Sequence, residues 1–545
     1  MKKRLSVFLA ILLLLSFAGC GQAEQGTTVP TTVPTTVPTT VPTTVPPMPV
    51  LDNQFEQTGM LTKGQSVTLT ADQLSGQILW SSSDPARATV DEAGNVTALA
   101  SRGTVTITAA VGDQTQSWEI PLCEQTAFGS VSLASSDERL TIGVWSGSFQ
   151  WFDEAYTKLM YEAGINLIIG VKNKWIWEGD GAPMLDLGAQ YGISYIPDLR
   201  DWDGETIPEY ADHPALKGFL LYDEPSSPRF EHLANLKQQF EAVMPEGTMF
   251  FINLFPESCG YESLFGDNYE PLFVDYEKYY LNYFMDTVKP ACLSYDGYPL
   301  QEGGTIRSTY FHNFDIASKR AKQDGVPFWY TLCSSGHWTT DGRYVTPTEQ
   351  ELRWQMLLGM TYGSNTLTHY VLASTDESDD NMLEHMTWQP TQVYENVKTV
   401  DQEFLAWDDV YMGYEWVGTA AVDALDAKGA GNAMLASLEY SLSFEETGML
   451  TGVQSNECLL VGTFQKDGEN AYLITNAGFV TPCEKYRQYS IAMQDASVTL
   501  QFAEGDYRCA AVINRGIVSY VPVNEDHTVN ITVPAYDGVF VIPVA

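Results

Sequence analysis

The chain has 545 residues, 44% of them hydrophobic, and a formal net charge of -40 from 69 Asp and Glu against 29 Lys and Arg. That length exceeds a single core and predicts two to four domains. The acidity excludes nucleic acid as a partner, because phosphates demand Lys and Arg, and it excludes docking on an anionic lipid surface.

Residues 1–20 begin with Lys2, Lys3 and Arg4, continue through an apolar run over 5–17 and end in Ala18-Gly19-Cys20. The run is too short to span a bilayer, so the segment reads as an export signal. Small residues directly before a cysteine resemble the bacterial lipoprotein lipobox, with Phe17 where that pattern has Leu. The resemblance implies lipidation at Cys20 and residence on the extracellular face of a bacterial envelope, with the membrane touched only through that anchor. Within 21–50, residues 27–46 repeat Thr-Thr-Val-Pro five times. Proline at every fourth place blocks helix and sheet and predicts an extended stalk. Seven further cysteines, odd in number and widely spaced without a CxxC pair, predict buried thiols rather than a disulfide framework or a metal site.

Over 51–125 short runs of alternating residues, such as Ser66-Val67-Thr68-Leu69-Thr70 and Gly103-Thr104-Val105-Thr106-Ile107-Thr108, are separated by turn residues. That period of two describes a small β-sandwich. Trp80-Ser81-Ser82-Ser83-Asp84-Pro85, Ala88-Thr89-Val90-Asp91 and Gly94-Asn95-Val96-Thr97-Ala98 closely resemble the bacterial Ig-like group 2 module, which implies a spacer.

Over 135–408 apolar strands alternate with amphipathic helices. Strands are expected at 141–145, 166–170, 194–198, 218–223, 249–254, 292–296, 327–332 and 366–371. Helices are expected at 151–163, 184–191, near Glu209, and at 230–243, 274–288, 310–323, 348–362 and 392–405. Eight such units predict a (β/α)₈ TIM barrel. A doubly wound sheet is the alternative, but no glycine-rich phosphate turn follows the first strand. Short alternating strands return over 412–545 and predict a C-terminal β-sandwich, giving a multidomain chain with the barrel flanked by two sandwiches.

In a barrel the working residues sit at the C-terminal ends of the strands. Those positions carry Trp145, Asp198, Asp223, Glu224, Asn253, Tyr295, Asp296, Tyr298, His337, Trp338, His369 and Tyr370, with Trp329 inside the seventh strand. Carboxylates among aromatics suit a sugar, whose ring faces stack on indole and phenol while the carboxyls move protons. Tyr222-Asp223-Glu224-Pro225 resembles the strand-four Asn-Glu-Pro of clan-A glycoside hydrolases, with Asp223 in place of the Asn. The resemblance implies Glu224 as general acid/base acting on an oligo- or polysaccharide; no cofactor or metal is expected, and the chain is expected to be a monomer. The clan's nucleophilic Glu after strand seven is missing, since Leu332 and Cys333 follow Thr331. Asp296 is then either the second catalytic carboxylate or a substrate-positioning residue, with Asp198 and Asp201 next in order. Trp145, Asp198, Asp223, Asn253, Tyr295, Tyr298, Trp329, His337, Trp338, His369 and Tyr370 are expected to bind substrate. Two functions compete: a glycoside hydrolase, and a catalytically inactive surface protein that only holds glycans.

Overall fold

The computed structural model describes residues 59–172, 182–339, 342–376, 379–483 and 488–545. The export segment, Cys20 and the Thr-Thr-Val-Pro stalk lie outside the described residues.

Eight parallel strands carry the centre of the chain: β1 (Thr141–Trp145), β2 (Leu167–Ile169), β3 (Ser194–Ile196), β4 (Gly218–Asp223), β5 (Met249–Asn253), β6 (Leu293–Asp296), β7 (Phe328–Cys333) and β8 (Thr366–Tyr370). Six pair in the order β3-β2-β1-β8-β7-β6, and β4 pairs with β5. Single parallel bridges, Tyr195 to Leu216, Asp198 to Leu220 and Leu254 to Tyr295, join the two sets, so the strands close a ring. Leu167, Ile169, Ile196, Leu220, Phe251, Cys292 and Trp329 point inward and pack into one cluster. Gly218 sets the spacing of β4, because a Cβ there would collide with the Met249 backbone.

The outward residues of the strands pack beneath seven helices: α1 (Glu154–Ala163), α2 (Ala182–Tyr191), α3 (Phe230–Val243), α4 (Asn282–Val288), α5 (Tyr310–Asp324), α6 (Glu349–Thr361) and α7 (Gln392–Leu405). Their ends follow from the sequence. Asp153 caps α1 by accepting from the Tyr156 N–H, and Gly164 ends it in the left-handed region at φ 88°. Thr348 and Glu351 close a capping box on α6. The helix expected near Glu209 is absent. Turns fill 199–217 instead, held by local bonds such as Trp202 Nε1 to the Thr206 carbonyl at 2.8 Å.

The N-terminal module has two antiparallel sheets. Leu61–Thr62, Gln114–Thr126, Thr104–Val111 and Leu79–Ser82 form one, and Ser66–Thr68, Asn95–Ala98 and Ala88–Val90 the other. Ala88, Val96, Val105, Ile107 and Ile120 fill the space between them. The module is docked against the rest of the protein. Arg102 grips Asp409 with two bonds of 2.8 Å, and Arg87 donates to the Ser136 carbonyl at 3.1 Å. Arg102→Ala removes a charge-assisted pair at a largely enclosed junction, and is expected to cost about 1–3 kcal/mol. Chemical denaturation reads this as a lower midpoint, and an unchanged midpoint would reduce the pair to an incidental contact.

At the C-terminal end, Glu415–Val422, Leu459–Lys466, Glu469–Asn476, Gly538–Val544, Cys509–Asn514 and Ile517–Pro522 form one antiparallel sheet. Leu450–Ser455, Ala496–Phe502 and Thr528–Val533 form a second, with a shared apolar core that includes Val461, Tyr472, Leu500 and Val541. The first sheet seats on α6, where Trp354 Nε1 donates to the Asn476 carbonyl at 2.7 Å. Two strands from this region, Phe479–Pro482 and Gln488–Ala492, leave the sandwich altogether. Gln488–Ala492 pairs with Thr305–Arg307, which follows β6, and the resulting six-stranded sheet continues through Leu300–Gln301, Gly342–Tyr344 and His337–Thr339.

Candidate active site

The geometry begins with an extra residue in β4. Leu220 pairs with Phe251, but Tyr222 rather than Leu221 pairs with Ile252, so Leu221 is a bulge. A regular strand would alternate faces and point Asp223 outward, with Phe219 and Leu221. The bulge reverses the alternation. Tyr222 now faces out, its ring under the Arg229 guanidinium at 5.4 Å, and Asp223 faces the lumen beside Asn253. Glu224 follows at φ 53°, a left-handed conformation that costs a side chain with a Cβ roughly 1–2 kcal/mol. Its N–H is tied to the Asn253 carbonyl at 2.8 Å. Two local irregularities therefore aim adjacent carboxyls into one cavity.

Asn253 organises the carboxylates. Its Nδ2 donates to Asp296 Oδ1 at 3.0 Å, Asp223 also bonds to the Asn253 side chain, and its Oδ1 accepts from Ser294 Oγ at 2.9 Å. Asp296, buried at the end of β6, is in hydrogen-bond contact with Glu224. Burial first, then the charges of Asp296 and Asp223, hold Glu224 well above the usual carboxylate range. Burial and the Asp223 charge push Asp296 up to about 7, and burial pushes Asp223 up to about 6 against the pull of Arg200. Burial and like charge thus favour the protonated form of Glu224, whose carboxyl bonds to Asp296. Asp296, read from the sequence as either a second catalytic carboxylate or a substrate-positioning residue, touches Glu224.

The cavity holds about 400 Å³. Trp145 lines its base, with Phe251 below it at 6.2 Å between ring centroids and its Nε1 directed at Thr331 Oγ1 at 3.4 Å. Tyr298 and Tyr370 stack at 5.5 Å, and His337 meets both edge-on. Burial keeps His337 below its ordinary value and so neutral, with Nδ1 at 2.8 Å from the Ser335 carbonyl. Trp338, 56% exposed, stands at the rim. Trp145, Asp223, Glu224, Asn253, Asp296, Tyr298, His337, Trp338 and Tyr370 thus all meet in one place.

Four expected residues do not line it. Asp198 lies behind Asp223, chelated by Arg200 at 2.6 Å and 3.0 Å and flanked by Lys172 at 3.6 Å. Tyr295 and His369 fall on the outward pleat of their strands. Tyr295 packs on Phe314 and Phe328 under the helices, and His369 Nε2 meets Asp401 of α7 at 3.0 Å in full burial. Trp329 faces inward but one layer too deep, against Phe251, with the Lys217 ammonium over its ring at 5.4 Å. Conversely, Arg307 and Tyr344 line the cavity although sequence reading passed them over. They sit on the six-stranded sheet, where Arg307 Nε donates to Tyr344 Oη at 3.1 Å. The alternating run Thr305-Ile306-Arg307 was the available signal. Burial pushes the Cys333 thiol up to about 12, which leaves it inert as a nucleophile. Among the described residues no group of three or more His, Cys, Asp and Glu could hold a metal ion, and no helix is long and apolar enough to cross a membrane.

Residues 52–120 match the bacterial Ig-like domain (group 2) family. No protein of curated function matches the chain in sequence. Among solved structures, a proposed alpha-galactosidase from Bacteroides fragilis is 11% identical with a TM-score of 0.41, over 86% of this chain and 92% of that one. A maltogenic alpha-amylase from Thermotoga neapolitana is 10% identical at 0.34, over 74% and 99%. A glucosidase from Croceicoccus marinus is 10% identical at 0.35, over 75% and 97%. Likenesses this distant leave function to be argued from the site.

Proposed function

We propose that this chain is a cell-surface glycoside hydrolase: a (β/α)₈ barrel between two β-sandwiches, held to the envelope through Cys20, that cleaves O-glycosidic bonds in a carbohydrate. The observation that carries this reading is the buried Glu224 carboxyl in contact with Asp296, inside a cavity that Trp145, Tyr298, Trp338, Tyr344 and Tyr370 also line. A poor leaving group departs as an alcohol with the help of a proton, and a carboxyl whose neutral form is favoured by burial and like charge is the group that supplies one. Glu224 is then the general acid and, once emptied, the base that activates water. Asp296 holds the Glu224 proton between turnovers. Trp145, Tyr298 and Tyr370 offer faces to the sugar ring, and Trp338 at the rim offers one to the neighbouring residue of the glycan.

The test is a panel of nitrophenyl α- and β-glycosides with the purified chain. Release of nitrophenol from at least one glycoside supports the reading. Saturable glycan binding with no release from any member would turn it into a surface glycan-binding protein, the role that the missing strand-seven carboxylate favours.

A further inference from the structure

Cleavage requires an electron pair at the anomeric carbon, delivered from the face opposite the leaving group. The protein's own candidates all lie on one arc of the ring. Asp223 ends β4, Glu224 follows it, and Asp296 ends β6, with Asp223 and Asp296 held by the amide of Asn253 on β5 between them. The facing arc, β7, β8 and β1, presents Thr331 bonded to Thr368 at 2.7 Å, then Tyr370 and Trp145. Among the described residues it brings no carboxylate to the cavity wall. Glu224 and Asp296, being in contact, sit on the same side of any bound ring. Asp223 is left facing the cavity next to the acid.

Resting on the hydrolase reading above, we propose that the substrate supplies its own nucleophile, and that the site is built for 1,2-trans-linked 2-acetamido-2-deoxy sugars, with Asp223 as the carboxylate that orients and polarises the acetamido N–H. The acetamido oxygen attacks the anomeric carbon as the bond to the leaving oxygen breaks. Glu224 gives that oxygen its proton, and Asp223 takes up the positive charge of the N–H through a hydrogen bond. The product of this half is an alcohol and a bicyclic oxazolinium ion, whose N–H stays hydrogen-bonded to the Asp223 carboxylate. Water then adds at the anomeric carbon, gives a proton to Glu224, and returns the ring-oxygen electron pair to the acetamide, with net retention. The carbonyl oxygen can reach only the face away from the leaving group when the two substituents are trans, so the linkage follows from the chemistry. An ionised Asp223 suits this role, and its place on the wall next to Tyr370, whose hydroxyl feels the Asp223 charge more than any other, surrounds the acetamide with one acceptor, one hydroxyl and the Trp145 ring.

The experiment compares nitrophenyl 2-acetamido-2-deoxy-β-glycosides with the matching 2-hydroxy β-glycosides and the α-linked acetamido sugars. The acetamido β-glycosides are expected to turn over at least about 100-fold faster than either. Asp223→Asn is expected to lose about 10²–10⁴-fold in kcat on them, and a thiazoline analogue of the oxazoline should inhibit the unaltered protein competitively whether or not that variant folds. Comparable turnover of 2-hydroxy glycosides, a glycosyl adduct on Asp223 or Asp296 by mass spectrometry, or an inverted glycosyl azide from Asp296→Asn in azide would each overturn this inference and leave the hydrolase standing. Inertness toward every glycoside would overturn both.

Discussion

Glu224→Gln is expected to lower kcat on alkyl glycosides by about 10²–10⁴-fold, the range that a positioned general acid contributes. Nitrophenyl glycosides should lose far less, because their leaving groups depart without a proton. The substitution is nearly isosteric, and its amide still donates to Asp296, so the melting temperature should hold. The left-handed backbone at position 224 is unchanged by it, since Glu and Gln carry the same Cβ. A parallel loss on both substrate types, with the fold intact, would assign Glu224 to binding. The two rates are read side by side in one assay.

Asp296→Asn is expected to act on pH dependence as well as rate. In the native protein the Asp296 charge is the second cause, after burial, of the raised Glu224 carboxyl. Removing it should let Glu224 lose its proton at lower pH, moving the alkaline limb of kcat/KM toward acid. Stability should change too. The folded value of Asp296, about 7, lies above the unfolded 3.8, so the native state holds this proton the more tightly. The favourable contribution is complete at low pH and disappears as pH rises through about 7. Asn, which never ionises, escapes that loss. The variant should therefore melt higher than the parent at pH 8, by on the order of 1–4 kcal/mol of stability, and alike at pH 4. An unchanged alkaline limb together with unchanged melting at pH 8 would mean that Asp296 and Glu224 are not linked in solution.

The strands and the Asp223-Glu224 pair were legible because each is a local pattern. Apolar runs spaced by helical periods place β1 to β8, and Tyr222-Asp223-Glu224-Pro225 marks the end of the fourth. What escaped is non-local or depends on the pleat. Tyr295 and His369 stand at strand ends, as expected, but one residue out of phase with the lumen, so each serves the helix layer. Asp223 would have been out of phase as well. The bulge at Leu221 corrects it, and nothing in Gly-Phe-Leu-Leu-Tyr-Asp announces a bulge. Arg307 and Tyr344 were missed because their hairpins acquire a place on the cavity only by pairing with strands far away in the chain. Near Glu209 the chain runs Pro208-Glu209-Tyr210-Ala211, helical by composition, yet the turn bonds of the loop take up its backbone groups instead.

The six-stranded sheet that carries Arg307 and Tyr344 also carries Gln488–Ala492 from the far end of the polypeptide. Thr305 Oγ1 donates to Gln488 Oε1 at 2.9 Å across that seam. The C-terminal sandwich is consequently no interchangeable cassette. A foreign domain spliced in after the barrel would have to bring a hairpin of matching register, or leave the edge beside Arg307 unpaired and that stretch of the cavity undefined. Gene rearrangements that exchange this domain would reshape the cavity wall in the same event, so along such a lineage recombination and divergence of the cavity are a single step.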